Sequence, residues 1–414
     1  MKSNKDKLLD KRSLTLVRKV LPVLLFILLF PGLLLSLCQS ALAAQTIKLA
    51  WDAPDPLPSD FAGYKVYYGL SSRTGDDPKS GGRCGYTTKI GLIGNPTSYN
   101  LNIPNPENKH FISVTAYDNS NNESVFSNEV AKEPAPSDFD GDGATDVAAF
   151  HLPSDQFFSD SAGNLGQYGW GGSDSYPLVW DYDGDGKVDM SFYHILTNQW
   201  FVKGVPGDNL GQFGWGGEDS VPVPGDYDGD GMMERAFYHS PTNRWFVEFP
   251  DAVEFFEIGW NGTECIPVPG DYDGDGITDM VIYHIPTNQW FQYGIGNLGQ
   301  FGWGGVDSIP VPGDYNGDGK TEIAIYHVPT NQWFVKGIGN LGQYGWGGLQ
   351  SFPIPGDYDG DGTWERGFYR PSQNRWFIEG EADFVWGWGG SEFMPITSQM
   401  AIFNWFRFVM GRFQ

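Results

Sequence analysis

The residues in this chain whose types and spacing could do chemistry are carboxylates set two apart. Asp271, Asp273, Asp275 and Asp279 stand at positions 1, 3, 5 and 9 of one nine-residue stretch, with Gly274 and Gly276 at positions 4 and 6. The pattern recurs as Asp138, Asp140, Asp142 and Asp146; as Asp181, Asp183, Asp185 and Asp189; and as Asp226, Asp228, Asp230 and Glu234. Two further copies are Asp314, Asn316, Asp318 and Glu322, and Asp357, Asp359, Asp361 and Glu365. Alternate residues of such a loop turn their oxygens towards one point, which is the donor set a hard cation such as Ca²⁺ requires. Glycines let the backbone take the partly left-handed path around that point. Position 7 offers only its backbone carbonyl, so its side chain is free to vary, and Ala144, Lys187, Met232, Ile277, Lys320 and Thr363 stand there. Asn316 removes one charge, which predicts weaker binding in its loop. Asp-Gly stretches also serve as plain acidic turns, but six concordant copies of a ligand pattern favour about one Ca²⁺ per loop.

Other residue types point elsewhere. His151, His194, His239, His284 and His327 share one repeat position, and Arg370 occupies the sixth. Equivalent positions in a repeat are spread apart and arginine does not ligate metals, so these residues are expected to bond to the adjacent turn. Trp200, Trp245, Trp290, Trp333 and Trp376 correspond to Phe157 in the first repeat. A position that keeps the apolar body and drops the indole N–H is a packing position. A second series, Trp170, Trp215, Trp260, Trp303, Trp346 and Trp388, lies among glycines. Core packing is the commoner fate of such residues, and a platform for a sugar ring is the functional reading. Asn198, Asn243 and Asn331 could bond to sugar hydroxyls but are first of all turn residues. Paired carboxylates can cleave glycosides, yet here the acids converge on single points and leave no general acid facing a substrate. No Ser/His/Asp set or phosphate-cradling loop stands out, so no catalytic residue is assigned and a non-enzymatic protein is expected.

The acidic loops recur at steps of 43, 45, 45, 43 and 43 residues, the signature of a repeat architecture. In the unit from Asp314, the loop leads into the apolar run 323–327, a turn at 328–331 and a second run, 332–336. A glycine turn, a third stretch over 342–346 and the segment 351–355 then lead to the next loop. Three or four short antiparallel strands in such a unit make one propeller blade, and the frequent Gly and Pro exclude helical solenoids. Six acidic loops matched by six aromatic-glycine turns predict six blades. Segment 393–397 copies a strand leading to a loop, but Ser398 and Gln399 replace the acids. The run 401–406 then either closes the ring or opens a degenerate seventh blade.

The chain before the repeats reads as three parts. Lys2, Lys5, Lys7, Lys11, Arg12, Arg18 and Lys19 precede an apolar run from Val20 to Cys38, with Ala41-Leu42-Ala43 as a cleavage site. Residues 1–43 are therefore expected to be a secretory signal peptide. Residues 46–130 alternate apolar and polar side chains with period two, as half-buried strands do. Residues 131–137, with Pro134 and Pro136, read as a stiffened linker into the repeat domain, 138–408. Net charge is −25 at pH 7, and the six loops hold 23 of the 51 acidic residues. Such acidity argues against nucleic acid and anionic membrane as partners. Cys84 and Cys265, the two cysteines beyond the leader, fall in different predicted domains, so disulfide stapling is not expected. No segment after the leader is long and apolar enough to span a bilayer.

Two resemblances follow from these motifs. Trp51, the run 64–68, Leu101 before Pro104, the run 112–116, and Ser124 with Ser127-Asn128-Glu129-Val130 resemble a fibronectin type III domain, with His110 where that family has a corner tyrosine. From Asp138 on, Asp-Tyr-Asp-Gly-Asp-Gly-x-x-Asp/Glu, an apolar strand and Tyr-His-x-Pro-Thr-Asn-Gln-Trp-Phe resemble FG-GAP/VCBS repeat proteins, relatives of the integrin α-chain propeller. The resemblances imply an all-β chain: a fibronectin type III-like β-sandwich followed by a six- or seven-bladed β-propeller with one calcium loop per blade. They also imply a secreted or cell-surface protein, or a periplasmic one, that binds a glycan or protein ligand without catalysis. Accessory or enzymatic roles in polysaccharide breakdown, and a structural role in surface assembly, are the alternatives.

Overall fold

The computed structural model describes residues 45–397 except 52, 54–56, 71–77, 79–83, 104–109, 128–129, 133–136, 171–173, 183–186, 205–206, 216, 230–231, 260–263, 304, 346–349 and 387–391. The expected leader and the run 401–406 lie outside the described residues. Described secondary structure is almost entirely strand, with a few three-residue 3₁₀ turns.

Six strands precede the repeats: β1 (Gln45–Ala50), β2 (Phe61–Gly69), β3 (Thr88–Ile93), β4 (Ser98–Ile103), β5 (His110–Asp118) and β6 (Val130–Lys132). They form a β3-β2-β5-β6 sheet and a β1-β4 pair. Buried Val66, Leu101, Ile103 and Ile112 come from both sheets and share one core with Leu49. Because β6 pairs with β5, residues 131 and 132, assigned to the linker from their position before the prolines, complete this sheet instead.

The repeats build six four-stranded antiparallel sheets. Blade 4 is typical: Cys265–Pro267, Val281–His284, Gln289–Gln292 and Gly296–Gln300, hydrogen-bonded in that order. Its first strand is wholly buried and its fourth largely open, so side chains matter most on the first three. Blade 1 takes its first strand from the chain's far end, since Phe393–Ile396 pairs with Ala148–His151 in register Phe393↔His151 to Ile396↔Ala148. Among the described residues the ring thus closes on six blades through 393–396.

Trp200, Trp245, Trp290, Trp333 and Trp376 are fully buried. Most indole N–H groups donate to a main-chain carbonyl, as Trp290 does to Phe301 at 3.0 Å and Trp333 to Tyr344 at 2.8 Å. Truncating one of these side chains to alanine should cost about 3–5 kcal/mol. Cations stitch neighbouring blades: Arg235 donates to the Leu210 carbonyl, Lys336 to Leu298 and Arg366 to Leu341.

The turn between second and third strands needs a left-handed residue, and Asn198, Asn243, Asn288, Asn331 and Asn374 supply it at φ from 48° to 54°. These asparagines are buried, and Asn331 and Asn374 accept from Tyr326 and Tyr369 hydroxyls, so their amides belong to the turn and not to a sugar site. The outer strand of blade 5 begins earlier than the sequence pattern indicates, at Gly339–Gln343 instead of 342–346. An exposed edge strand is held by backbone pairing, so Gly339-Asn340-Leu341 forms it without the alternating side chains that mark the inner strands.

Candidate functional site

In blades 2 to 6 the acidic loop joins the first strand to the second, and in blade 1 it leads into the second strand, Ala148–His151. In blade 4, Gly270 bridges Asp279 just beyond the end of the first strand, whereas Cys265 at its start lies opposite His284. Trp303 follows the fourth strand at the His284 end, because Gln300 pairs with Gln289. The acidic loops therefore occupy one face of the ring, and the histidines and, among the described residues, Trp170, Trp215 and Trp303 occupy the other.

Each loop is wound by its own carboxylates. The Asp271 oxygens accept N–H bonds from Gly274 at 2.6 Å and Gly276 at 2.8 Å, and Asp138 and Asp314 repeat this with their glycines. A glycine at position 4 suits this path, with φ +80 at Gly274. Position 9 closes every loop by accepting the N–H of position 2: Asp146 from Phe139, Asp189 from Tyr182, Glu234 from Tyr227, Asp279 from Tyr272, Glu322 from Tyr315 and Glu365 from Tyr358, all at 2.7–2.9 Å.

Carboxylates meet within 4.8 Å in five loops: Asp138, Asp140 and Asp146; Asp226, Asp228 and Glu234; Asp271, Asp273 and Asp279; Asp314, Asp318 and Glu322; and Asp357, Asp359 and Asp361. Asp142, Asp275 and Glu365 stand in their loops but outside these groupings. In the second loop Asp181 and Asp189 are described, while Asp183, Asp185 and, in the third loop, Asp230 lie outside the described residues. Asn316 turns its amide onto Glu322 at 2.7 Å.

Burial pushes Asp138, Asp146, Asp271, Asp279, Asp314, Glu322 and Glu365 upward, and their neighbours add to it. Asp138 rises to about 6 through burial, against lowering by the Gly143 and Gly141 N–H groups, with Asp142 and Asp140 raising it further. Asp146 reaches about 7, Asp279 and Asp314 about 6, Glu322 about 7 and Glu365 about 8, each chiefly through burial with adjacent carboxylates contributing. Buried anions raised in this way lack a compensating positive charge. An all-oxygen donor set of that kind fits a hard divalent cation.

The loops are also linked to one another, a feature the sequence pattern did not reveal. The position-8 N–H of one loop donates to the position-1 carbonyl of the preceding loop: Val188 to Asp138, Thr278 to Asp226, Thr321 to Asp271, Trp364 to Asp314 and, across the closure, Thr145 to Asp357, at 2.6–2.8 Å. Position 7 reaches the same way, since Lys187 Nζ donates to the Asp140 carbonyl and Lys320 Nζ to that of Asp273. The side chain at position 7 is thus a contact between loops as well as a variable one.

On the opposite face, Trp170, Trp215 and Trp303 are 54, 44 and 43% exposed. Each leans on the next blade: Trp170 on His194 and Phe201, Trp215 on His239 and Phe246, Trp303 on His327 and Phe334, with ring centroids 4.4–5.1 Å apart. Buried Ser220 and Ser308 hold the loop by accepting the Trp215 and Trp303 N–H and donating to the same residues' carbonyls. A Cβ on Gly302, at φ +122, would meet Asn288 at 3.2 Å, which explains the glycine before Trp303. Trp260, Trp346 and Trp388 lie outside the described residues.

The five histidines set Nδ1 2.6–2.8 Å from Ser154, Thr197, Thr242, Thr287 and Thr330, hydroxyls of the adjacent turn. Nε2 of His151 and His284 faces Glu392 and Glu264 at 3.7 Å. Burial lowers His239 and His327, so the rings beside Trp215 and Trp303 are neutral at pH 7. The acids opposite the histidines went unread in the sequence, although an acid four residues after five of the six glycine-flanked tryptophans was a signal for them.

Among the described residues no helix is long and apolar enough to cross a membrane. No family model matches the chain, and no curated protein matches it. Among solved structures it is similar to virginiamycin B lyase from Staphylococcus aureus, at 9% identity over 69% of this chain and 83% of that one, with a TM-score of 0.35. It is also similar to an Agrocybe aegerita lectin that recognises non-reducing terminal N-acetylglucosamine (12% identity, 86% of this chain, 95% of that one, TM-score 0.38). A third is the exotype rhamnogalacturonan lyase YesX (13% identity, 86% of this chain, 74% of that one, TM-score 0.29). At these scores no activity or ligand passes from any of them to this chain.

Proposed function

We propose that this is an exported, non-enzymatic glycan-binding protein of the FG-GAP/VCBS type, whose acidic loops bind Ca²⁺ for stability and whose opposite face carries the ligand sites. The fibronectin-like sandwich acts as a spacer. One observation carries the reading: a half-open tryptophan beside a histidine recurs at Trp170, Trp215 and Trp303. An open indole offers the apolar face of a sugar ring a surface, and the neighbouring imidazole offers a hydroxyl partner. Repetition on a closed ring presents several such sites at once, which raises avidity without new contacts. Calcium's role here is structural, because a cation that binds only folded loops stabilises them by mass action.

A glycan array probed with the full chain in Ca²⁺ tests this. Retention of intact glycans, lost in Trp170→Ala/Trp215→Ala/Trp303→Ala while the melting temperature stays near that of the parent, is the expected result. A variant that melts lower yet keeps its glycan binding would make these tryptophans packing residues and remove the proposal.

A further inference from the structure

Five of the six repeats place an acid opposite a histidine on the tryptophan face: Glu392 with His151, Asp174 with His194, Asp219 with His239, Glu264 with His284 and Asp307 with His327. Main-chain bonds fix this pairing in four repeats, since the acid's carbonyl accepts the N–H of the residue after the histidine: Asp174 from Ile195, Glu264 from Ile285, Asp307 from Val328 and Glu392 from Leu152. The sixth repeat changes both members together. Gln350 replaces the acid and Arg370 replaces the histidine, with Arg370 Nη2 donating to Gln350 Oε1 at 3.3 Å.

The substitution alters the local charge by more than one group. With neutral histidine, five positions carry one negative charge each, whereas the sixth carries a positive one. Directly across the strand pair from Arg370 stands Arg375, where four other repeats have glutamine. Like charges directly opposite each other oppose folding. Arg375 is relieved by Asp383 at 2.6 Å, but among the described residues no carboxylate lies within ion-pair distance of Arg370. The Nε atoms of both arginines are buried without a hydrogen-bond partner. In a chain of net charge −25, the Arg370 guanidinium thus stands, among the described residues, without an anion and beside the position where the other repeats carry an acid.

We infer that Arg370, with Gln350 and Arg375 beside it, is an anion subsite that takes the carboxylate or sulfate group of an acidic saccharide. A guanidinium offers paired N–H donors in a planar fork matched to such groups, and the Gln350 amide supplies a neutral partner where an acid would repel. The saccharide part of this inference rests on the proposed function, while the anion part stands on Arg370 alone.

The experiment titrates the full chain in Ca²⁺ with methyl β-D-glucuronide, with the neutral methyl β-D-glucoside and with inorganic sulfate. Parallel titrations use Gln350→Glu/Arg370→His, which rebuilds the pair present in the other repeats. Glucuronide binding near one per chain, displaced by sulfate and weakened at least about tenfold in the double variant, supports the subsite. Arg370→Gln is the second variant should the double one not fold, and the same loss is expected of it. Glucuronide and sulfate binding no tighter than that of the glucoside, or binding unchanged by the substitutions, overturns the inference. Sulfate binding that depends on Arg370, with no saccharide bound at all, upholds the anion subsite and removes the glycan reading instead.

Discussion

The sandwich and the propeller solve the problem of buried carboxylates in opposite ways. In the sandwich, Glu123 accepts from Lys65 at 2.6 Å and Thr115 at 3.1 Å, with Tyr67 as a third donor and Lys89 Nζ 3.6 Å away. Burial alone would raise Glu123, but the bonds from Lys65, Tyr67 and Thr115 and the Lys65 charge hold it below the usual glutamate range. In the propeller, acids are buried against other acids and held by backbone N–H groups, and several rise to between about 6 and 8. One region carries its counter-charge in its own sequence; in the other, on the proposed reading, an external cation supplies it.

Removing that cation should produce the largest effect. Each occupied loop adds RT ln(1 + [Ca²⁺]/Kd), and at 1 mM Ca²⁺ with a dissociation constant near 10⁻⁴ M this is about 1.4 kcal/mol per ion. Five or six ions would therefore shift stability by roughly 7–9 kcal/mol. Hydrogen exchange on the whole chain, with Ca²⁺ and then with chelator, should show protection lost in the acidic loops and second strands of the blades while β2 and β5 keep theirs. Equal loss in both regions, or none, would erase the contrast. The links from position 8 to the preceding position-1 carbonyl add a pattern to this loss. Disrupting one loop should expose its neighbour on one side before the other.

Lys65 is the converse test. Lys65→Met leaves Glu123 buried without its main partner, which should cost about 3–5 kcal/mol, because an uncompensated buried charge outweighs the pair's own modest worth. The cost should be the same in Ca²⁺ and in chelator when followed by β2 and β5 exchange. A cost that disappears in Ca²⁺ would mean that the sandwich, too, relies on the ion.

Acid gives the two regions opposite signs. Without the cation, Asp138, Asp146, Asp279, Asp314, Glu322 and Glu365 are pushed up to about 6–8 in the folded state, whereas unfolded Asp and Glu titrate near 3.8 and 4.5. Between those limits the folded state binds more protons, so chelated propeller stability should fall as pH rises from 4.5 to 8. Glu123 is depressed, so its contribution is present above 4.5 and lost as pH drops through its lower folded value. Exchange of the chelated chain at pH 5 and 7.5 should show slower propeller opening at pH 5, after correction for intrinsic exchange rates, with little change in the sandwich. Added Ca²⁺ should reverse the propeller's trend.

These contrasts also separate what was legible in the sequence from what was not. The six loops, the blade strands and the buried tryptophans could be read because side-chain type at fixed spacing specifies them: Trp290 or Trp333 is a core residue wherever its strand runs. Pairing across repeats could not be read in this way. Closure through 393–396, the N–H bonds from one loop to the preceding one and the acid–histidine contacts all join residues from different segments, many through the backbone, which carries no residue-type signal. Gly339–Gln343 shows the same limit on a small scale, as a strand held by main-chain pairing with few informative side chains. Lys65 and Glu123 were equally hidden, since only the fold brings β2 against the turn at 118–123.

The smallest expected effect tests the comparison within a single loop. Asn316 sits where five other loops have aspartate, and its amide donates to Glu322. Asn316→Asp exchanges that donor for a second anion, so the two states should respond in opposite directions. In chelator the fifth loop should lose on the order of 1 kcal/mol through the lost bond to a charged group, read as faster local exchange. In Ca²⁺ the added ligand charge should tighten that loop's binding, seen as a lower midpoint in a calcium titration of its exchange protection. A variant that is weaker in both conditions would make the Asn316–Glu322 bond a plain structural contact, and the loop an acidic turn like that of any ion-free protein.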